Sequence, residues 1–234
     1  MLPRLDTIFT PLDLAALVFF LVVVVGYGIF TGPAGYKRSS LAGAIQSQRV
    51  AWMLNMARRD NRALDAILLG SLGQGNAFFA SSSAIAIGGL AAMMGSGEKV
   101  QQMLERIPMV APSTGVVWEM KLLIIIGIFV FAFFKFAWAF RLSHYTSIMI
   151  GATPLLSVDS AICDEHAART AKLAGLSAEH SNGGIRAFYY AIAALTWFGH
   201  PILFIAATVW VMLILVRRDY FSRSLRLIAG PKKV

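Results

Sequence analysis

Cysteine is almost absent. Among 234 residues only Cys163 carries a thiol, which excludes an intrachain disulfide and leaves no cysteine-based metal site. Charge is scarce as well: Asp, Glu, Lys and Arg make up 14% of the chain, against roughly 25% in soluble domains. The sequence holds no Gly-rich phosphate loop, no HExxH pair and no Gly-x-Ser-x-Gly elbow. No Ser/His or paired-carboxylate set can be assembled at one depth, so the expectation is a protein that is not an enzyme, with no catalytic residue.

What is abundant is apolar surface, at 57% of residues. A helix needs about 20 mostly apolar residues to cross a hydrocarbon core about 30 Å thick. Four segments qualify, at about 12–30, 63–94, 118–140 and 187–216. Long continuous runs exclude a barrel, whose strands are short and alternate in polarity. The expected fold is all-α, a polytopic transmembrane helix bundle forming a single helical domain. The first run is too long for the core of a signal peptide, so it reads as a retained helix.

The net charge of +9 does not indicate nucleic acid, because the basic residues flank the apolar runs. That placement suits anionic lipid headgroups. Arg58, Arg59 and Arg62 fall on the polar side of a stretch over 41–62, with Val50, Met53, Leu54 and Ala57 opposite. This reads as a helix lying in the membrane interface, or as one packed on protein. Lys135 and Arg141 near the end of the third span read as side chains that snorkel to headgroups; the other reading of Lys135 is an ion pair with Asp159. Trp118 and Trp138 mark the two interfaces, or else are ordinary packing aromatics. Glu119 and Lys121 read as interfacial. Lys and Arg divide almost evenly over alternate loops, so the positive-inside rule sets no orientation.

The loop over 96–117, with Pro108 and Pro112, is short. The region from Arg141 to Arg186 reads as the longest loop. It contains an interfacial or re-entrant piece near 145–158 and a soluble helix over 157–176. Gly175 is the expected stop of that helix, and Ser181–Gly184 the turn into the fourth span.

Two patterns point to function. Ala80, Ala84, Gly88 and Ala92 recur every four residues, a stripe that lets two membrane helices approach closely within one chain or between two. It makes a homo-oligomer the leading expectation. Gln74, Asn76, Thr196 and His200 are the candidates for a polar path, since polar groups at membrane depth face a bundle interior or a wet cavity. His200 stands near the middle of the fourth span, followed by a proline that kinks a helix. The plainer reading is a neutral histidine bonded nearby, with Thr196 within reach. Haem would need a second histidine at the same depth, and His144, His166 and His180 lie in the long loop. Asp164, Glu165 and His166 are adjacent and share no helix face, which argues against a metal. No cofactor is expected.

Four stretches carry a resemblance: QSQRVAWMLNMARRDNRALDA (Gln46–Ala66), FFASSSAIAIGGL (Phe78–Leu90), FKFAWAFRLSHYTSIMIGATP (Phe134–Pro154) and GGIRAFYYAIAALTWFGHP (Gly183–Pro201). They are similar to the domain-of-unknown-function 599 family of bacterial and plant multi-pass membrane proteins. The resemblance implies a helical membrane protein, here of a bacterial inner (plasma) membrane, and supplies no catalytic residue. It gives weight to the Lys135/Trp138/Arg141 face. The expected partners are membrane lipids, a second copy and other membrane proteins. The alternative function is a channel or transporter.

Overall fold

A computed structural model describes residues 9–31, 40–94, 115–155, 157 and 159–230. The loop expected over 96–117, with Pro108 and Pro112, lies almost wholly outside them. Among the described residues the secondary structure is all helical. Helix α1 is Pro11–Phe30, α2 Leu41–Ala57, α3 Ala63–Met94, α4 Gly115–Gly151 and α5 Ser160–Leu195. A 3-10 turn at Thr196–Phe198 leads to α6, Pro201–Tyr220, and α7, Arg223–Ala229. Four segments are long and apolar enough to cross a membrane: α1, α3, α4 and Pro201–Ala229. The protein is an integral membrane protein.

Local chemistry sets the ends. Thr10 caps α1, accepting the Asp13 N–H at 3.1 Å, and Pro11 occupies the first helical position, where no N–H is needed. Asp159 caps α5, accepting the Ala161 N–H at 3.0 Å, and is exposed. It therefore serves a helix end and not an ion pair with Lys135.

The long third loop of the sequence reading is absent. Helix α4 continues past Phe140 to Gly151, so Tyr145 belongs to its last turns. Helix α5 runs without interruption through Gly175 and through Ser181–Gly184. These glycines answer to their neighbours, not to a chain reversal. A Cβ on Gly175 would come under 3.0 Å from the Gln46 side chain, and one on Gly184 would lie 2.6 Å from the Phe136 ring. Gly183 lies against the Lys135 stem. The fourth span does not begin at 187 but at Pro201, because the helix breaks over 196–200.

By Cα proximity the chain falls into two compact units. The first comprises Met1–Gly35, Ser83–Ala132 and Arg186–Val216; the second comprises Tyr36–Ser82, Phe133–Ile185 and Arg217–Val234. The first unit has an aromatic core. Trp197, fully buried, stacks with Phe9 at 5.8 Å and with Phe204 at 5.0 Å. Trp118 is 4% exposed and packs on Phe198 at 4.4 Å, so it is a packing aromatic and not an interface marker.

In the second unit α2 lays Met53, Met56 and Ala57 on Ala167, Ala171 and Ala174 of α5. The alanines recur every three to four residues and let α2 approach closely. This is the packed alternative for the 41–62 stretch, and the helix itself ends at Ala57. Its arginines find acceptors within the chain. Arg58 bridges both Asp164 oxygens at 3.0 and 3.1 Å, and Arg59 meets Asp65 at 2.9 Å. Arg62 donates to the carbonyls of Thr153 at 2.7 Å, Pro154 at 2.9 Å and Ala57 at 3.3 Å. A cation on carbonyls left over at helix C-termini is favourable in charge and in hydrogen bonding. Arg62→Ala is expected to cost about 2 kcal/mol, the scale of one or two charged hydrogen bonds at a half-buried site. Thermal unfolding in detergent measures it, and an unchanged midpoint would mean that water replaces the guanidinium without loss.

Candidate functional site

The first unit buries an ion pair. Asp13 is 6% exposed and Lys121 5%. Lys121 Nζ stands 3.4 Å from Asp13 Oδ1 and donates to the Trp197 carbonyl at 3.1 Å. Trp197 Nε1 donates to the same Asp13 oxygen at 2.7 Å, while the Thr10 hydroxyl donates to Oδ2 at 2.6 Å. The ammonium also lies 5.1 Å from the Trp197 ring, within cation–π range.

A backbone cause underlies the arrangement. In a continuous helix the Trp197 carbonyl would receive the N–H of residue 201, which is proline and has none. Lys121 supplies that missing donor, and Asp13 neutralises the charge this brings inside. Each polar group in the set therefore has a partner, as burial demands. Lys121 is not interfacial as its sequence position suggests: it lies on the buried stripe Val117, Trp118, Leu122 and Ile125. That three-and-four spacing was the available signal.

The four polar-path candidates divide between the units. Thr196 donates to the Ala193 carbonyl at 2.7 Å, not to the His200 side chain. His200 precedes α6, and its Nδ1 accepts the Ile202 N–H at 3.1 Å. It acts as a helix cap at a break, with Pro201 opening the next helix, and not as a kinked mid-span residue.

Gln74 and Asn76 belong to the second unit. Gln74 is exposed and lines a cleft of about 270 Å³ with Phe140, Ser143, His144 and Ser147. Asn76, 7% exposed, lines another of about 190 Å³ with Arg49, Ser177 and Asn182. The two clefts share Leu69 and Ser143.

The histidines read as loop residues are helical. His144 contacts the Phe140 carbonyl at 3.1 Å and His166 the Met149 carbonyl at 2.8 Å. Asp164 and His166 thus serve separate partners. His180 sits in α5 beside Trp138. Burial first, then the positive charge of Lys135, hold its pKa below the ordinary imidazole value, so it is neutral at pH 7. Lys135 is half-buried, and the exposed Arg141 donates to the Tyr145 hydroxyl at 3.2 Å.

On the small-residue stripe Ala80 is half-buried, whereas Ala84, Gly88 and Ala92 are exposed. A Cβ on Gly88 would meet nothing within 4 Å.

The family model described as "Protein of unknown function, DUF599" matches residues 15–224. The chain belongs to that family. The match takes in Lys121, Trp197 and both clefts of the DUF599 chain, and ends inside α7. No curated protein and no solved structure matches it.

Proposed function

We propose that this protein is a non-catalytic, self-associating protein of the bacterial plasma membrane, with structural or accessory work among lipids and other membrane proteins. The contact between copies runs along Ala84, Gly88 and Ala92 of α3. What carries the reading is how little of α3 its own chain covers: 6% of its apolar window is buried, against 22–28% for the other three spans. Lipid tails gain nothing from small side chains, whereas a second backbone does. A stripe repeating every four residues is self-complementary about a two-fold axis, the commonest symmetry of homo-oligomers. The buried charges support the non-catalytic part. Asp13 and Lys121 tie a helix start to an orphan carbonyl, and Asp65 holds Trp52 and Arg59.

Gly88→Leu is expected to weaken association about tenfold or more while leaving the monomer as stable as before, because the added side chain enters open space within one chain. Energy transfer between labelled copies in bicelles, at several protein-to-lipid ratios, measures it. Equal transfer in wild type and variant would exclude this face. The alternative, an ion or solute path, keeps Gln74 and Asn76 on polar clefts, whereas Thr196 and His200 spend hydrogen bonds on their own helical turns. Flux in proteoliposomes, with and without Gln74→Ala, separates the two readings.

A further inference from the structure

The chain leaves its fourth span through a basic segment. We propose that α7, together with the end of α6, docks on an anionic phospholipid surface, with Arg217, Arg223 and Arg226 as the cations that meet the headgroups. The inference rests on the membrane location of the chain and not on the contact between copies along α3.

Position comes first. The apolar stretch Pro201–Ala229 is longer than a crossing needs, and its helix breaks at Phe221 and Ser222. The 20 residues of α6 suffice for the span. From Val216, four more residues of α6 and three to the start of α7 carry Arg223 at most about 17 Å further, so it stays near headgroup depth.

Helix α7 is held in place at both ends. Ser222 caps its start, accepting the Leu225 N–H at 3.1 Å, and Gln48 of α2 donates to the Ile228 carbonyl at 3.4 Å. Gly230 stops it with φ 69°, in the left-handed region that favours glycine. A helix of 7 residues would not persist alone, so packing along α2 maintains it. Ser222, Leu225 and Ile228, spaced by three, are half-buried. Arg223, Arg226 and Leu227 are exposed on the surface that remains. Leu227 is 77% exposed and Phe221, just before the helix, 74%. Cations and large apolar side chains on a free surface beside a span suit a helix lying in the interface plane.

Charge decides the occupant. Arg58 and Arg59 spend their charge on Asp164 and Asp65, Arg62 on carbonyls, and Arg218 on Asp219 at 2.9 Å. The exposed side chains of Arg217, Arg223 and Arg226 make no ion pair and no hydrogen bond among the described residues. Helix α7 contains no acidic residue, and the exposed residues of α2, Ser47, Gln48, Ala51 and Asn55, are uncharged. An anionic bilayer takes the guanidinium groups at its phosphates and Phe221 and Leu227 at its acyl boundary. An acidic protein surface answers the charge but not the apolar pair.

Full-length protein carrying a fluorophore on Ser224→Cys, with Cys163→Ala so that one thiol remains, is reconstituted in phosphatidylcholine vesicles. Ser224 is exposed on α7. Phosphatidylglycerol or phosphatidylcholine bearing a doxyl quencher near the headgroup is added in increasing mole fraction, and quenching reports which lipid gathers at α7. Each arginine near an anionic surface contributes about fivefold in affinity. Half-quenching is therefore expected at a tenfold lower mole fraction, or less, of the anionic lipid. The triple change Arg217→Gln, Arg223→Gln, Arg226→Gln is expected to erase that difference. The matching triple change to lysine, which keeps the charge, retains it. Arg58→Gln, whose charge is already spent on Asp164, leaves it unchanged. Equal quenching by the two lipids with all three arginines present, a preference that survives the triple glutamine change, or one lost with lysine, overturns the proposal.

Discussion

Asp13→Ala is expected to cost about 3–5 kcal/mol, the usual penalty for removing one partner of a buried ion pair. The size follows from what remains. Lys121, 5% exposed, would be left with only the Trp197 carbonyl and ring for company. Trp197 Nε1 would lose its acceptor and the Thr10 hydroxyl its bond. Lys121→Met is expected to cost less, because Asp13 would retain the donors from Thr10 and Trp197 at 2.6 and 2.7 Å. The double variant Asp13→Leu, Lys121→Met removes both charges together. It is expected to recover part of the Asp13→Ala loss, as apolar replacement of buried ion pairs often does. Thermal unfolding of the three variants in one detergent gives the ordering. Lys121→Met costing more than Asp13→Ala would mean that the ammonium, not the carboxylate, organises the cluster.

Gly184→Leu is expected to lower stability by about 2–3 kcal/mol or more, through overpacking. Two effects oppose each other at this position. Any side chain in place of mid-helix glycine gains about 0.5–1 kcal/mol of helix propensity. Against that, the first added carbon would lie 2.6 Å from two atoms of the Phe136 ring, which is itself fully buried and stacked on Phe79 at 5.1 Å. A clamped aromatic ring cannot swing aside as a long flexible chain can, so the steric term wins. Even Gly184→Ala is expected to be destabilising, by about 1 kcal/mol net of propensity. A stabilised Gly184→Ala protein, read by the same melting assay, would show that the α5 backbone yields easily there.

How far the sequence could be read depended on whether a signal was local. Apolar runs marked the spanning helices because length and composition alone determine them. Prolines were dependable: the missing N–H of Pro201 coincides with a true break, and α4 ends just before Pro154. Glycines misled, because their meaning lies in whatever packs beside them. Gly175, Gly183 and Gly184 looked like a stop and a turn, yet they are notches for Gln46, Lys135 and Phe136. The arginines of 58–62 are legible as a basic cluster, but Asp164, which pairs with Arg58, and Thr153 and Pro154, which accept from Arg62, lie about 90 residues or more away. Lys121 sits on a recognisable buried stripe, but Glu119 and the helix start give it a surface-like setting in the sequence. Of the polar-path candidates, Gln74 and Asn76 proved to line clefts, whereas the local partners of Thr196 and His200 cannot be read from residue type alone.

The Thr10–Asp13–Lys121–Trp197 set also dictates an order of events during synthesis. Trp197 lies 184 residues beyond Asp13 in the chain and 76 beyond Lys121. At about 5–20 residues per second, roughly 10–40 s separate the emergence of the carboxylate from that of its indole donor. Helix α1 therefore leaves the ribosome before the other described helices and is among the last of them to dock. Through that interval its apolar run holds it in the bilayer, while the carboxylate in its first turn waits unmatched.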